Sequence, residues 1–172
     1  MAKTYTAASI GQTFGNGKSM MSLINAHATR KVKLYRVWQL NNQTTGITGA
    51  LCTMALRRAN TITGGTAITP VAHDTGNVAF DLTSITCAFN ASATPTGDNP
   101  LRTWIWSSDE PALATATQDE FQCLVPLNCI WDSTGDSNIE PIVLNTNEGI
   151  HIICANNVTT GISDIFMEFT VS

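Results

Sequence analysis

The sequence predicts an all-β fold, an antiparallel β-sandwich of eight strands in jelly-roll order, and three observations carry that prediction. Polarity comes mainly from 25 threonines and 14 asparagines, while charged residues make up only 13% of the 172 residues. β-Branched threonine suits a pleated, half-buried surface, and the helix formers Glu, Lys and Gln are scarce. No long window repeats apolar residues at i, i+3, i+4 and i+7 without interruption, so the crossover helices that a parallel sheet needs are missing. Apolar segments of strand length recur instead, separated by turn-rich stretches such as "ATPTGDNP" and "WDSTGDSNIEP", as expected where strands cross between two sheets.

Taken in order, "TYTAAS" is the first strand. The segment "KSMMSLINAHA", Lys18 to Ala28, reads as a helix or helical turn with Met20, Met21, Leu23 and Ile24 as its apolar face. Residues 1–30 are therefore expected to form an arm or a partly helical lead-in to a single domain spanning 1–172. "KVKLYRVWQL" (31–40) and "ITGALCTMAL" (47–56) are strands joined by "NNQTTG", a connection of hairpin length. From Thr61 to Asn77, "TITGGTAITPVAHDTGN" reads as a long ordered connection across one end of the sandwich. In it Gly64-Gly65 gives a tight turn, Pro70 sets an extended segment and Asp74 caps the turn that follows. "SITCAFN", "LRTWIWSS", "EFQCLVPL", "PIVL" and "IHIICA" are further strands, the last two separated by "NTNEG". In the final strand, "SDIFMEFTVS", Ile165, Met167, Phe169 and Val171 share one face, against Glu168, Thr170 and Ser172 on the other.

Charge is segregated along the chain. Eight bases (Lys3, Lys18, Arg30, Lys31, Lys33, Arg36, Arg57, Arg58) precede position 59 with no acid among them; beyond it thirteen acids face the single base Arg102. Such asymmetry either marks a surface that docks on an oppositely charged partner or disappears when early strands pair with late ones. The bases lie in a strand-like pattern rather than a dense run, so nucleic acid is not the expected partner. "MAKTYTAASIG" has no apolar signal core and no run approaches a membrane span, which predicts folding in a cytosol and no membrane partner. Cys52, Cys87, Cys123, Cys129 and Cys154 are odd in number and lack C-x-x-C spacing, and reduced thiols are expected.

Candidates for chemistry are few. His73-Asp74 invites a catalytic reading, yet neighbours in an extended chain point to opposite sides, and no G-x-S-x-G or comparable nucleophile motif accompanies them. His27, His73 and His151 stand far apart, away from ligand spacing, so no metal or cofactor is expected; acidic loops such as "DSTGDSNIE" lack the spaced ligand set of an EF-hand. Trp104 and Trp106 are two apart and face one side of a strand, where with Trp38 and Trp131 they either fill the core or form a sugar-binding platform; the core is favoured.

Three stretches, "SLINAHATRKVKLYRVWQLNNQTTGITG", "LRRANTITGGTAITPVAHDTGN" and the closing "DIFMEFTVS", give the chain a pattern that resembles small virion structural proteins of tailed bacteriophages, including capsid decoration or cement proteins. The resemblance implies a β-sandwich that assembles as an oligomer on a capsid or tail, without enzymatic activity. On that basis the expected function is a decoration protein, most simply a homotrimer, bound to the major capsid protein or other virion proteins after synthesis in the host cytoplasm. The rivals are a jelly-roll shell subunit of a small virus, whose basic first third faces nucleic acid, and a carbohydrate-binding tail module using Trp104 and Trp106. Expected interface residues are Arg30, Lys31, Lys33, Arg57 and Arg58 with Thr61, Thr63, Thr66, Thr69 and His73. Threonines in such a surface hydrogen-bond across an interface without the desolvation cost of charges.

Overall fold

The computed structural model describes residues 3–15, 17–42, 50–76, 80, 83–97, 99–108, 128–135, 138–156 and 161–172. They form thirteen strands: β1 (Lys3–Thr13), β2 (Ser19–Asn25), β3 (Val32–Asn41), β4 (Ala50–Thr63), β5 (Thr66–Ile68), β6 (Val71–Ala72), β7 (Ile85–Phe89), β8 (Ser92–Pro95), β9 (Arg102–Ser108), β10 (Asn128–Asp132), β11 (Ile142–Leu144), β12 (Glu148–Cys154) and β13 (Ile162–Val171). The first sheet runs β10-β3-β13-β1-β6, with β11 also on β3; the second runs β5-β7-β2-β12-β4-β8, with β9 also on β4. Every ladder is antiparallel.

Within this frame, β1-β13-β3-β10 faces β2-β12-β4-β9, and successive strands alternate between the sheets from β1 through β4. That is the eight-stranded jelly roll expected from the sequence. The five additional strands extend its edges: β5 and β7 beside β2, β6 beside β1, β8 on β4 and β11 on β3.

The alternation in β13 sets the first sheet. Ile165, Met167 and Phe169 are fully buried, opposite Ser9, Ala7 and Tyr5 of β1 and Gln39, Val37 and Leu34 of β3. Two aromatic groups close the core along β1. Tyr5 stacks on Phe169 at 6.0 Å and meets Phe80 edge-on at 4.9 Å, while Phe14, just past the other end of β1, packs edge-on against Trp106 at 4.7 Å. Between them lie Leu23, Met54, Leu56, Ile150 and Ile152 of the second sheet, none exposed. At the β1 bulge the chain takes a positive φ at Gly11, whose N–H donates to Asp164 Oδ1 at 2.6 Å; Asn42 Nδ2 donates to the same oxygen at 2.9 Å. A nearly buried carboxylate is satisfied in this way, and the bulge pins the register of β1 on β13.

Four expectations need correction. The helical reading of Lys18–Ala28 fails: Ser19–Asn25 is the strand β2, hydrogen-bonded to β12 on one side and β7 on the other. A segment this short cannot hold a helix by itself, whereas two flanking strands pair with its backbone and Asn90, Ala91 and Asn147 complete the bonding at its ends. Residues 3–25 accordingly contribute one strand to each sheet rather than a helical lead-in or a detached arm. Neither "NNQTTG" nor "NTNEG" closes a hairpin, because β3 and β4, like β11 and β12, belong to different sheets. Thr61–Asn77 is not one long connection: β4 continues to Thr63, the chain reverses at Gly64-Gly65, β5 joins the edge of the second sheet and β6 the edge of the first. Gly65 has φ +84, and a Cβ there would lie 2.5 Å from the Phe89 carbonyl, so only glycine permits this turn. The cysteines are not all reduced, since Cys52 of β4 and Cys154 of β12 form a disulfide between neighbouring strands, with Cα atoms 6.1 Å apart. Cys87 is a buried thiol whose ionisation burial pushes far up, and Cys129 is an exposed one. The expected strand "EFQCLVPL", with Cys123, lies outside the described residues.

Candidate interaction surface

Two of the eight early bases, Arg36 and Arg58, meet late acids in the fold. Arg36 on β3 sits across from Glu168 on β13 and Asp132 on β10, both at 3.4 Å, because β3 is flanked by those late strands. Hydrogen bonds from the Thr134 hydroxyl and backbone N–H, helped by Arg36, hold the Asp132 carboxyl below its usual range. Arg58 lies 3.8 Å from Glu148 and donates to the Val143 carbonyl at 3.1 Å. Folding therefore neutralises part of the basic first third by setting Arg36 and Arg58 beside acids from late in the chain.

The expected interface residues fall into three places. Lys31, just before β3, and Lys33, within it, line a shallow groove of about 460 Å³ with Glu140, Pro141, Val143 and Ser172. Arg30 precedes them in an exposed turn held by Asn25, whose buried amide donates to the Arg30 and Leu144 carbonyls at 2.8 and 3.0 Å. Thr61, Thr63, Thr66, Thr69 and His73 are exposed along the end of β4 and the edge strands β5 and β6. His73 is tied into that edge: its ring Nε2 shares a 2.7 Å hydrogen bond with Thr6 Oγ1, and its backbone N–H donates to the Thr4 carbonyl. Asp74 turns the other way and accepts from the Gly76 N–H at 2.8 Å, the turn cap expected of it. Imidazole and carboxylate thus have separate partners and make no dyad.

Arg57 stands apart from its neighbour Arg58. On β4 the core face is Cys52, Met54 and Leu56, so odd-numbered residues point outward. Arg57 is therefore on the outer face of the second sheet, directly opposite His151 of β12, which in turn is opposite Ser22 of β2. His151 is 1% exposed despite its outward position. Its Nδ1 lies 3.3 Å from Ser19 Oγ, whereas its Nε2 and the Arg57 Nε are buried with no hydrogen-bond partner among the described residues. Burial, with the Arg57 charge second, pushes His151 down to about 4. In the sequence His151 is marked only as a polar residue inside the apolar run "IHIIC".

Two exposed aliphatic side chains share this outer face. Leu51 is 56% and Ile105 63% exposed, on β4 and on β9, where Ile105 pairs with Thr53. The tryptophans point the opposite way: Trp104 and Trp106 pair with Met54 and Cys52, and Trp106 is buried against Phe14. Trp104 is half-buried and donates from Nε1 to Gln39 Oε1, so the two indoles face the core rather than forming an open platform.

No known protein family, curated protein or solved structure matches the chain.

Proposed function

We propose that this is a non-enzymatic virion structural protein of the capsid decoration type, which assembles as a homo-oligomer and binds a preformed shell. The observation that carries the reading is the jelly-roll sandwich with large aliphatic side chains left uncovered on sheet faces and edges: Ile10, Leu51, Val71 and Ile105 are each at least half exposed. Two-sheet jelly rolls are an architecture of viral shell domains, and an uncovered aliphatic surface on a low-charge sandwich is suited to contact with other subunits. The fold analogy gives the class of role, while the exposed side chains give the reason for a partner.

Two observations weigh against the rivals. Pairing of Arg36 and Arg58 with late acids takes two of the eight early bases out of the basic surface that a nucleic-acid-facing shell subunit would use. The inward turn of Trp104 and Trp106 removes the stacking platform that a glycan reader would use. Decoration acts by mass action, because a protein that binds only the assembled lattice makes disassembly less favourable.

The test is to add purified protein to undecorated shells and follow co-sedimentation, with cryo-electron microscopy of the source particle to locate the density. Protein on the outer surface of the shell, with shells that withstand more heat or denaturant once loaded, is the expected result. Density forming the shell itself, or affinity for glycans or random nucleic acid without affinity for shells, would replace this reading with the corresponding rival.

A further inference from the structure

We infer that His27 is an acid-sensitive latch on the turn between β2 and β3. At neutral pH its ring holds the tip of the turn that presents Arg30 and Lys31, and it releases that tip when the imidazole takes a proton.

The turn carries the chain from one sheet to the other, since β2 ends at Asn25 in the second and β3 starts at Val32 in the first. Its residues lie outside every strand, so other groups must satisfy their backbone. Both ends are anchored by groups that do not titrate. The Ala26 N–H donates to the Ser84 carbonyl at 2.7 Å, Lys31 and Ser172 exchange backbone bonds at 2.9 and 3.0 Å, and the Asn25 amide bridges the Arg30 and Leu144 carbonyls. Thr146, in the turn between β11 and β12, turns its hydroxyl to the His27 and Ala28 carbonyls at 2.9 and 3.2 Å. At the tip the partner is an imidazole. Nδ1 of the half-buried His27 accepts from the backbone N–H of Thr29 at 3.2 Å and of Arg30 at 3.1 Å. Accepting from the backbone a short way ahead is what Asn and Asp do in turns, and here a ring nitrogen does it.

Two N–H groups aimed at one Nδ1 fix the tautomer: that nitrogen keeps its lone pair and the ring proton sits on Nε2. A protonated imidazole is a donor at both nitrogens, so the added proton occupies that lone pair and faces two N–H groups. Both bonds are lost together, within the range where histidine titrates. The neighbourhood adds to the effect. Among the described residues the charged groups about the turn are Arg30 and Lys31, on the turn itself, and Glu148 at the start of β12. The Glu148 carboxylate is already engaged by the Asn145 N–H and amide at 2.9 and 3.1 Å, with Arg58 3.8 Å away. Ser84, Leu144 and Thr146, which reach the turn from other elements, are uncharged, and Ser172 bonds Lys31. An imidazolium therefore joins two cations on its own turn, where like charges favour the opened tip.

The latch does not depend on a virion role, and the purified full chain suffices to test it. Solvent exchange of the Thr29 and Arg30 amides, measured by NMR and corrected for its intrinsic pH dependence, would be followed from about pH 7.5 to about pH 5, across the titration of imidazole. Protection of both amides should fall about tenfold, the scale of one hydrogen bond of ordinary strength. At the upper pH a long-range proton–nitrogen spectrum should show the His27 ring protonated at Nε2. His27→Asn supplies an oxygen acceptor that does not titrate and should keep both amides protected throughout, whereas His27→Ala should leave them exchanging fast at either pH. Because His27→Asn retains His151, any loss that comes from general weakening of the fold appears in that variant as well. A ring protonated at Nδ1, protection at Thr29 and Arg30 that does not change with pH, or the same loss in His27→Asn as in the wild type overturns the latch. If neither variant folds, the ring tautomer and the wild-type amides still decide.

Discussion

His151 illustrates how much of the surface chemistry rests on single residues that strand alternation does not flag. The alternation in "IHIIC" puts Ile150 and Ile152 in the core and assigns His151 to the outer face, yet the side chain is as buried as theirs. Sequence could not reveal this, because the burial depends on which strands lie alongside, and those come from far positions: Ser22 on one side and Arg57 on the other. The consequence is testable through pH. An unfolded chain protonates His151 near its ordinary 6.5, whereas the folded protein resists until about 4. Between those values the unfolded state binds more protons, so stability is fully present above 6.5 and declines as pH falls towards 4. At about 1.4 kcal/mol per pKa unit the loss approaches ~3 kcal/mol. Urea titrations of the wild type and His151→Gln across this window should show a steep slope in the first and a shallower one in the second; equal slopes would clear His151 of the role. Gly65 is a second residue-scale case, this time legible in advance, since the Gly-Gly pair announces the turn. Gly65→Ala forces a side chain into positive φ and against the Phe89 carbonyl and Ala91 backbone, and should destabilise by about 2 kcal/mol or more in a denaturant melt.

At the scale of elements, strands were readable where alternation was clean and misread where only neighbours decide. β13 follows its pattern residue by residue, and β3, β9 and β12 lie where "KVKLYRVWQL", "LRTWIWSS" and "IHIICA" put them. β2 carries Met20, Met21, Leu23 and Ile24 at a spacing that serves a short helix equally well; it is a strand because β7 and β12 enclose it. Hairpin-length loops misled for a related reason: loop length says how far the chain travels, not which sheet receives it. The β4–β12 pair holds the other surprise, the Cys52–Cys154 disulfide. No spacing rule finds it, because 102 residues separate the two cysteines and only the strand register brings them together. Closing so long a loop restricts the unfolded chain, so reduction should lower unfolding stability by about 2–4 kcal/mol. Peptide mapping without reductant should recover the linked pair, with Cys129 alkylated readily and Cys87 only after unfolding. Recovery of Cys52 and Cys154 as separately alkylated peptides from the native protein would refute the bridge.

Across the whole molecule, one topological fact explains both the pairing of Arg36 with late acids and the expected folding behaviour. The first sheet is built from the two ends of the sequence: β13 lies between β1 and β3, so late acids such as Glu168 arrive beside early bases such as Arg36. At Arg36 and Arg58 the charge opposition along the chain thus encodes strand pairing within the fold. The same arrangement places the last strand at the centre. Its Ile165, Met167 and Phe169 are fully buried, and its backbone supplies hydrogen bonds to both β1 and β3. Removing residues 162–172 would expose the apolar side chains of Tyr5, Ala7, Leu34 and Val37 and leave two strands facing a gap, where buried unpaired backbone groups are strongly disfavoured. We therefore expect a chain ending at residue 161 to lack any cooperative thermal transition, while the full chain refolds slowly, on the millisecond-to-second scale of sandwiches whose pairings are mostly non-local. Circular dichroism of the truncated chain checks the first part and stopped-flow refolding of the full chain the second. A truncated protein that melts cooperatively near the wild-type temperature would mean that the second sheet folds without the first, and that β13 is an addition to the sandwich rather than its keystone.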